Sequence, residues 1–276
     1  MRPAVEWDAL IERKGGYRSV CRARPLRGAN VLIDPDDYVC IDIETTGLSP
    51  ARESIIEIAA YRMREGAMDD AFVSFVRPDK HVSSFITSLT GITDADVEDA
   101  PLPSEVLPDL KDFVGGDPIL GHNVSFDMNF IHDACLREGI EPIGNDFFDT
   151  KNIAKWGLPG LENGRLETVA EYLSIPLGVH HRAGADVETT VRCYEAMVKG
   201  REPIFRRKQS KSFYLSSLSG LKQIAVSQVQ ICCMRVMFCL SPEFSRPEQS
   251  PSMRPNFTSG YFQTGLPSSP LRGVGP

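Results

Sequence analysis

Tyr38-Val-Cys-Ile-Asp-Ile-Glu-Thr-Thr-Gly-Leu48 joins a short apolar run to two carboxylates and a turn, and it is the most informative segment of the sequence. The apolar run is typical of a buried strand, and Thr-Thr-Gly is typical of the turn that ends it. Side chains two residues apart on a strand leave the same face, so Asp42 and Glu44 point the same way at the carboxyl end of this strand. Two neighbouring carboxylates are costly to bury, and Mg²⁺ or Mn²⁺ with oxygen ligands removes that cost. The alternative is an exposed acidic pair at a strand end.

The segments around this strand predict an α/β layer fold with a mixed sheet, since strands come first and helices alternate with strands afterwards. Glu65-Gly66 is the expected turn between two further strands, Ile55 to Met63 and Ala71 to Val76. A short strand is expected at 117–121. Helices are expected at about Pro103 to Val114, Ser125 to Glu138, Leu166 to Leu173 and Ala185 to Val198, with Ser125 as an N-cap and Gly139 as a stop.

Two later clusters place polar side chains where strands and loops lead into helices. Gly121-His-Asn-Val-Ser-Phe-Asp127 puts Asp127 in the first turn of a helix. His181-Arg-Ala-Gly-Ala-Asp186 puts a histidine on a loop and Asp186 in the first turn of the next helix. Each cluster alone has an ordinary explanation, because Asp near a helix N-terminus stabilises the helix dipole and a loop histidine is often a surface group.

Together and in this order, the three clusters resemble the exonuclease motifs of the DEDDh family. That family contains the proofreading epsilon-type subunits and the exonuclease domain of Gram-positive replicative polymerases. Asp42-Ile-Glu-Thr-Thr-Gly-Leu48 resembles the first motif, His122-Asn-Val-Ser-Phe-Asp127 the second and His181-x-x-x-x-Asp186 the third. The resemblance covers residues from about 36 to 199. It includes Leu89-Thr-Gly-Ile-Thr93 and Asp149-Thr150, whereas His180 lacks the spacing to Asp186.

The resemblance implies a ribonuclease H-like three-layer fold with a mixed central sheet flanked by helices, and a 3′-to-5′ exonuclease activity. In that family Asp42, Glu44, Asp127 and Asp186 would share one cleft and hold two divalent ions, Mg²⁺ or Mn²⁺. Such ions activate a water molecule and stabilise the leaving 3′ oxygen. His181 would act as the general base, a role that suits an imidazole near neutral pH.

The same resemblance implies contacts with the end of the strand. The backbone at Thr45, Thr46 and Gly47 would approach the terminal nucleotide. Two apolar side chains would pack on the terminal bases, which suits any sequence; these are Leu48 and Phe126, for which ordinary core packing is the alternative. Two polar residues would orient the site or touch phosphate, His122 and Asn123.

The substrate and the partner stay open at this point. Single-stranded DNA is the favoured substrate, in proofreading or repair, with a DNA polymerase subunit as a possible partner. Trimming of RNA 3′ ends is an alternative, because recognition of the 2′-OH decides the sugar. An inactive nucleic-acid-binding or polymerase-associated scaffold is a third reading, against which the presence of all four carboxylates and the histidine argues.

Composition divides the chain of 276 residues into three parts: a basic N-terminal arm or small extension (1–34), the exonuclease domain (35–200) and a low-complexity tail (201–276). The formal net charge is −7, but the tail holds 10 Lys and Arg against 3 Asp and Glu and is expected to be disordered. The apolar part of the tail, Ile224 to Leu240, fits either a docking segment or a disrupted reading frame. The basic arm fits either a surface that steers a polyanion or a solvated extension.

The cysteines and the apolar segments predict the compartment. Seven cysteines without a C-x-x-C pair indicate reduced thiols rather than a disulfide framework or a zinc site. The N-terminus has no apolar signal region, and the stretch 224–240 is too short and too polar to span a membrane. These features predict a cytoplasmic protein with no membrane partner.

Overall fold

In the computed structural model, which describes residues 2–177 and 182–205, the strand Tyr38–Thr45 lies inside a mixed sheet. Seven strands of the described part form this sheet in the order β1-β2-β7-β6-β3-β4-β5. Their bounds are β1 Arg18–Ser19, β2 Asn30–Val31, β3 Tyr38–Thr45, β4 Ile55–Arg64, β5 Ala67–Phe75, β6 Ile119–Gly121 and β7 Phe147–Asp149. Strand β3 pairs antiparallel with β4 and parallel with β6, so the expected mixed sheet is confirmed.

Helices cover both faces of the sheet. Their bounds are α1 Trp7–Lys14, α2 Ser84–Thr90, α3 Asp94–Val97, α4 Pro103–Val114, α5 Ser125–Arg137, α6 Thr150–Gly157, α7 Leu166–Tyr172 and α8 Ala183–Tyr194. A π-helical turn, Glu195–Lys199, continues α8. The predicted bounds of α4 match the structure, and those of α5 and α7 differ by one residue at the C-terminal end.

The alternation of side chains along β3 explains the three layers. Tyr38 and Cys40 belong to an apolar core that also contains residues of α6, α7 and α8. Val39, Ile41 and Ile43 belong to a second core, on the opposite face, with residues of α4 and α5. Burial of both faces accounts for the continuous apolar run in the sequence. Asp42 and Glu44 continue the first of these faces, toward α8.

The turn at Glu65 and Gly66 closes the expected hairpin between β4 and β5. Both residues have positive φ, 49° and 77°. Two-residue hairpin loops of this kind need that conformation, which glycine adopts without cost. A side chain at Gly66 would also lie 2.6 Å from Nε of Arg201, so that guanidinium would have to shift.

The expected cap of α5 is wrong. Val124 already has right-handed helical angles (φ −56°, ψ −15°), and the amide of Met128 donates to its carbonyl at 3.0 Å. An N-cap residue needs an extended backbone, so Ser125 is the first helical residue and its side chain caps nothing. The expected stop is confirmed, because Gly139 has φ 69° directly after the helix.

The N-terminal extension adds strands to the sheet. Strand β1 pairs with β2, and β2 pairs with β7. Its arginines make local ion pairs: Arg18 with Asp146 at 2.6 Å and Arg24 with Asp133 at 2.6 Å. Two of its basic side chains are therefore neutralised, one by an acid directly before β7 and one by an acid on α5.

The described residues after Gly200 also pack on the sheet. The amide of Met68 donates to the carbonyl of Ile204 at 2.8 Å, and Arg201 pairs with Glu195 at 2.5 Å. The predicted disordered tail and the segment 224–240 otherwise lie outside the described residues. No helix in the described ranges is long and apolar enough to cross a membrane.

Candidate active site

Strand β3 presents Asp42 and Glu44 on the face that α8 covers. Both side chains are half-buried, and in the pairing with β4 Glu44 lies opposite Glu57. The register between the strands shifts between Glu44 and Thr45, so a bulge ends the regular ladder directly after the second carboxylate. Bulges of this kind often redirect side chains beside active sites.

Helix α8 brings the third carboxylate, Asp186, in its first turn. Glu57 fixes the start of this helix from β4. Its carboxylate accepts hydrogen bonds from the guanidinium of Arg182 (3.0 Å and 3.3 Å) and from the amide of Ala183 (3.1 Å). Glu57 is only 3% exposed, so its charge needs these partners. These hydrogen bonds to Glu57 therefore fix the start of α8 beside the sheet.

The three carboxylates Asp42, Glu44 and Asp186 form one cluster, with a ligand oxygen of each within 4.8 Å of the others. Asp127, on α5, is buried beside them and accepts a hydrogen bond from the amide of Ile43 at 3.2 Å. An all-oxygen set of carboxylates fits a hard divalent cation such as Mg²⁺ or Mn²⁺ and disfavours soft metals.

The pKa values of the clustered carboxylates also favour a divalent cation. Burial, and then the charges of Asp127, Asp186 and Glu44, raise the pKa of Asp42 well above its usual range. Burial and the charges of Asp186 and Glu57 raise the pKa of Glu44 to about 8, against the opposing effect of Arg182. Burial also raises the pKa of Asp127, although backbone amides oppose it. Carboxylates held in this way favour a cation, since a cation stabilises their ionised forms.

The turn after β3 uses its hydroxyl groups internally. The hydroxyl of Thr45 donates to the carbonyl of Gly47 at 2.7 Å. The hydroxyl of Thr46 donates to Glu53 at 2.7 Å and accepts from the amide of Ser54 at 2.9 Å. These bonds fix the loop that carries Leu48, whose side chain is 86% exposed. The alternative that Leu48 is an ordinary core residue is therefore wrong.

The second motif, at the end of β6, supplies further residues of the site. His122 is bonded on both ring nitrogens, to the hydroxyl of Thr150 (2.9 Å) and to the carbonyl of Gly164 (2.9 Å). Because a carbonyl only accepts, Nε2 carries the proton and Nδ1 accepts from Thr150. Burial lowers the pKa of His122 to about 4, so the ring is neutral near pH 7. His122 thus joins β6 to the loop before α7.

Asn123 and Phe126 lie on either side of the start of α5. Asn123 has φ 62°, and its amide donates to the buried carboxylate of Asp149 at 2.9 Å. The same oxygen of Asp149 accepts from the amide of Lys151 at 2.9 Å. Phe126 is half-buried, with its ring centroid 4.8 Å from that of Phe130. Phe126 therefore packs partly on the core and stays partly exposed to solvent.

A cavity of about 550 Å³ joins the cluster to the second motif. Asp42 and Asp186 line one part of it, and the remaining lining residues are His122, Asn123, Lys151, Gly164, Arg165, Leu166 and Glu167. The structure thus brings the first and third motifs into contact and places His122 and Asn123 on the same cavity. The predicted general base, His181, lies outside the described residues.

Sequence reasoning missed Glu57 and Lys151. Glu57 is the one charged residue within the apolar run Ile55-Ile-Glu-Ile-Ala-Ala60, and an isolated charge on a buried strand signals a specific partner. Lys151 follows Asp149-Thr150 by one residue and carries no signal in a single sequence. Only the fold brings it to the cavity.

The fold and the sequence both resemble known nucleases. Escherichia coli exonuclease I, solved in complex with a dT13 oligonucleotide, matches with a TM-score of 0.52 at 21% identity, over 60% of this chain and 42% of that chain. The apo form of exonuclease I matches with a TM-score of 0.52 at 23% identity, over 61% and 43%. These likenesses confirm the predicted ribonuclease H-like fold.

The curated relatives are DNA polymerases III of the PolC type. The Oceanobacillus iheyensis protein is 43% identical over 155 residues, which cover 56% of this chain and 11% of that protein. The Bacillus subtilis protein is 37% identical over 172 residues, which cover 62% and 12%. The chain therefore spans about a tenth of the length of these relatives. The model of the Exonuclease family, RNase_T, matches residues 39–194, more than half of the chain, and the protein belongs to that family.

Proposed function

We propose that the protein is a 3′-to-5′ exonuclease that releases nucleotides one at a time from the end of single-stranded DNA. The observation that carries the proposal is the meeting of Asp42, Glu44 and Asp186 within 4.8 Å, from a strand and a helix far apart in sequence. Exonuclease family membership and the likeness to polymerases and to exonuclease I support nucleic acid as the substrate.

Asp42, Glu44, Asp127 and Asp186 would hold two Mg²⁺ or Mn²⁺ ions, which supply activation of water and charge stabilisation at the leaving oxygen. Other residues of the chain hold these four carboxylates in position. The amide of Ile43 orients Asp127, and Glu57 anchors the helix that carries Asp186. His181 would accept the proton of the attacking water, a role that its place five residues before Asp186 supports.

The turn after β3 and the second motif would receive the strand end. The internally bonded turn offers the backbone of Thr45, Thr46 and Gly47 and the exposed side chain of Leu48. Phe126 offers a ring edge near the start of α5. His122 would contribute by holding the carbonyl of Gly164 in the loop before α7, and Asn123 would contribute by lining the cavity.

A DNA polymerase subunit is the proposed partner, on the ground that the PolC-type relatives carry a matching segment. A cytoplasmic location is proposed because the cysteines within the described ranges, Cys21, Cys40, Cys135 and Cys193, are free thiols.

The test is digestion of 5′-labelled single-stranded DNA and RNA oligonucleotides of one sequence, with Mg²⁺, with EDTA, and with the Asp42→Ala variant. A ladder that shortens from the 3′ end, requires the metal and disappears in the variant is expected, with DNA as the better substrate. Faster cleavage of RNA would assign the trimming function instead. No cleavage of either strand with Mg²⁺ or Mn²⁺ would indicate a scaffold.

A further inference from the structure

The cavity beside the carboxylate cluster is lined by charges of both signs. Asp42, Asp186 and Glu167 are its acids, and Lys151 and Arg165 are its basic residues. The basic residues come from the first turn of α6 and from the residue just before α7. Asp42 and Asp186 belong to the proposed metal site, whereas the two basic residues have no part in it.

Lys151 and Arg165 are among the cations of the described ranges that have no carboxylate partner. In the described ranges, no acidic oxygen lies within 4.0 Å of either side chain's charged nitrogens. The ammonium of Lys151 donates only to the side-chain oxygen of Asn123, at 3.0 Å. Arg165 is exposed; its backbone amide donates to the side chain of Asn163 and its carbonyl accepts from the amide of Val169, whereas its guanidinium has no hydrogen-bond partner in the described ranges. These two cations are distinguished by their place, because they line the same cavity as Asp42 and Asp186, which an anionic strand would have to enter to reach the carboxylates.

The wall that carries these cations is fixed by buried groups. One oxygen of Asp149 holds the amides of both Asn123 and Lys151, at 2.9 Å each. The neutral ring of His122 holds the carbonyl of Gly164, directly before Arg165. Gly164 packs so closely on α6 that a side chain there would lie 2.7 Å from Lys155 and 3.1 Å from Lys151. The backbone that carries the two cations is therefore held in place on both sides of the cavity lining.

We infer that Lys151 and Arg165 form a phosphate track that binds the single-stranded DNA next to the scissile bond, on the part of the strand that remains after cleavage. This inference rests on the proposed function. Each phosphate contact contributes to affinity through release of condensed counterions, and it does not read the base. The track therefore holds any sequence while the carboxylate cluster performs the hydrolysis. It also explains how an acidic protein binds a polyanion.

The experiment uses the full chain and the variants Lys151→Gln, Arg165→Gln and the double variant. Arg77→Gln is the matched control, because Arg77 is exposed, has no carboxylate partner in the described ranges and lines a different cavity. Binding of fluorescein-labelled dT20 is followed by anisotropy with Ca²⁺ in place of the active metal, over a series of salt concentrations. Hydrolysis of dT20 and of thymidine 5′-p-nitrophenyl phosphate is measured with Mn²⁺.

We expect the double variant to bind dT20 at least tenfold more weakly, with a salt slope smaller by about 1.4, because each single-strand phosphate contact contributes about 0.7 to that slope. Its KM for dT20 rises, whereas hydrolysis of the small ester, which has no strand beyond the scissile bond, stays within twofold. Binding and a salt slope equal to those of Arg77→Gln would overturn the inference, and so would an equal loss on the small ester. A wild-type protein that binds dT20 but hydrolyses neither substrate would refute the proposed function alone.

Discussion

Among single residues, Leu48 offers a substitution that should weaken the proposed substrate binding without affecting folding. Because Leu48 is 86% exposed, Leu48→Ala removes almost no buried surface. We expect the free energy of unfolding to change by less than about 0.5 kcal/mol, while KM for oligonucleotides rises several-fold. Urea denaturation and steady-state kinetics measure the two effects. An unchanged KM would remove Leu48 from the substrate site.

His122 makes a separate contribution, which depends on pH. Its folded pKa of about 4 lies below the ordinary value of 6.5, so the unfolded chain binds the extra proton between these values. The stability that the neutral ring contributes is thus fully present above pH 6.5 and is lost as the pH falls toward 4. By linkage, about 1–2 kcal/mol of the free energy of unfolding is lost between pH 7 and pH 5.

The measurement for His122 is urea unfolding at pH 7 and pH 5, for the wild type and for His122→Asn. The wild type should lose more stability on acidification than the variant does. Equal losses in the two proteins would show that His122 is not the buried neutral group that the hydrogen bonds to Thr150 and Gly164 indicate.

Most chemical residues of the site could be predicted from the sequence, because Asp42, Glu44 and Asp186 belong to short motifs with fixed spacing. In the structure these three side chains lie together, with a ligand oxygen of each within 4.8 Å of the others. The groups that position them could not be predicted in the same way. Glu57 contacts Arg182 across 125 residues, and Asp149 contacts Asn123 across 26, so only the folded chain shows these pairs.

Among the elements of the fold, the junction between β4 and α8 decides where helix α8 begins. The sequence predicted a helix from Ala185, whereas the structure begins it at Ala183. The reason is a tertiary contact, since Glu57 accepts from the amide of Ala183 and from Arg182. Strand β7 and helix α6 were missed, because three residues of strand are too few for a periodic pattern to be read.

We expect Arg182→Met to weaken this junction, since it leaves the buried carboxylate of Glu57 with the amide of Ala183 alone. The partly exposed guanidinium limits the loss in the free energy of unfolding to about 1–3 kcal/mol. Affinity for Mn²⁺ should fall several-fold, because the start of α8 carries Asp186. Urea denaturation and isothermal titration with Mn²⁺ measure these changes.

The matched control for Arg182→Met is Arg192→Met. Arg192 lies further along the same helix and pairs with Glu188 and Glu202. That variant should lose stability without losing Mn²⁺ affinity. If both variants bind Mn²⁺ as the wild type does, Glu57 and Arg182 support the fold only.

At the scale of the whole molecule, the metal and the fold are linked through protons. Glu44 has a pKa of about 8, and burial raises the pKa of Asp42 and Asp127 above the usual range. Acids with raised pKa bind protons more tightly in the folded state. Their contribution to the stability of the metal-free protein is therefore present at low pH and is lost as the pH rises toward 8.

A divalent ion should reverse this loss, because it stabilises the ionised carboxylates and releases their protons. We expect the rise in Tm on addition of Mn²⁺ to grow between pH 6 and pH 8, with EDTA-treated protein as the reference at each pH. Comparison at fixed pH removes the opposing titration of His122. A rise in Tm that does not change with pH would contradict the buried, protonated cluster.

Hydrolysis from the 3′ end can be tested by identification of the products formed in water enriched in ¹⁸O. The wild type and the Asp186→Asn variant digest single-stranded DNA with Mn²⁺. The masses of the products are then measured by mass spectrometry. Attack of water on phosphorus with departure of the 3′ oxygen predicts nucleoside 5′-monophosphates, released from the 3′ end, each with one ¹⁸O on its phosphate, and none from the variant. Release of 3′-monophosphates or of internal fragments, or equal release by Asp186→Asn, would contradict the account.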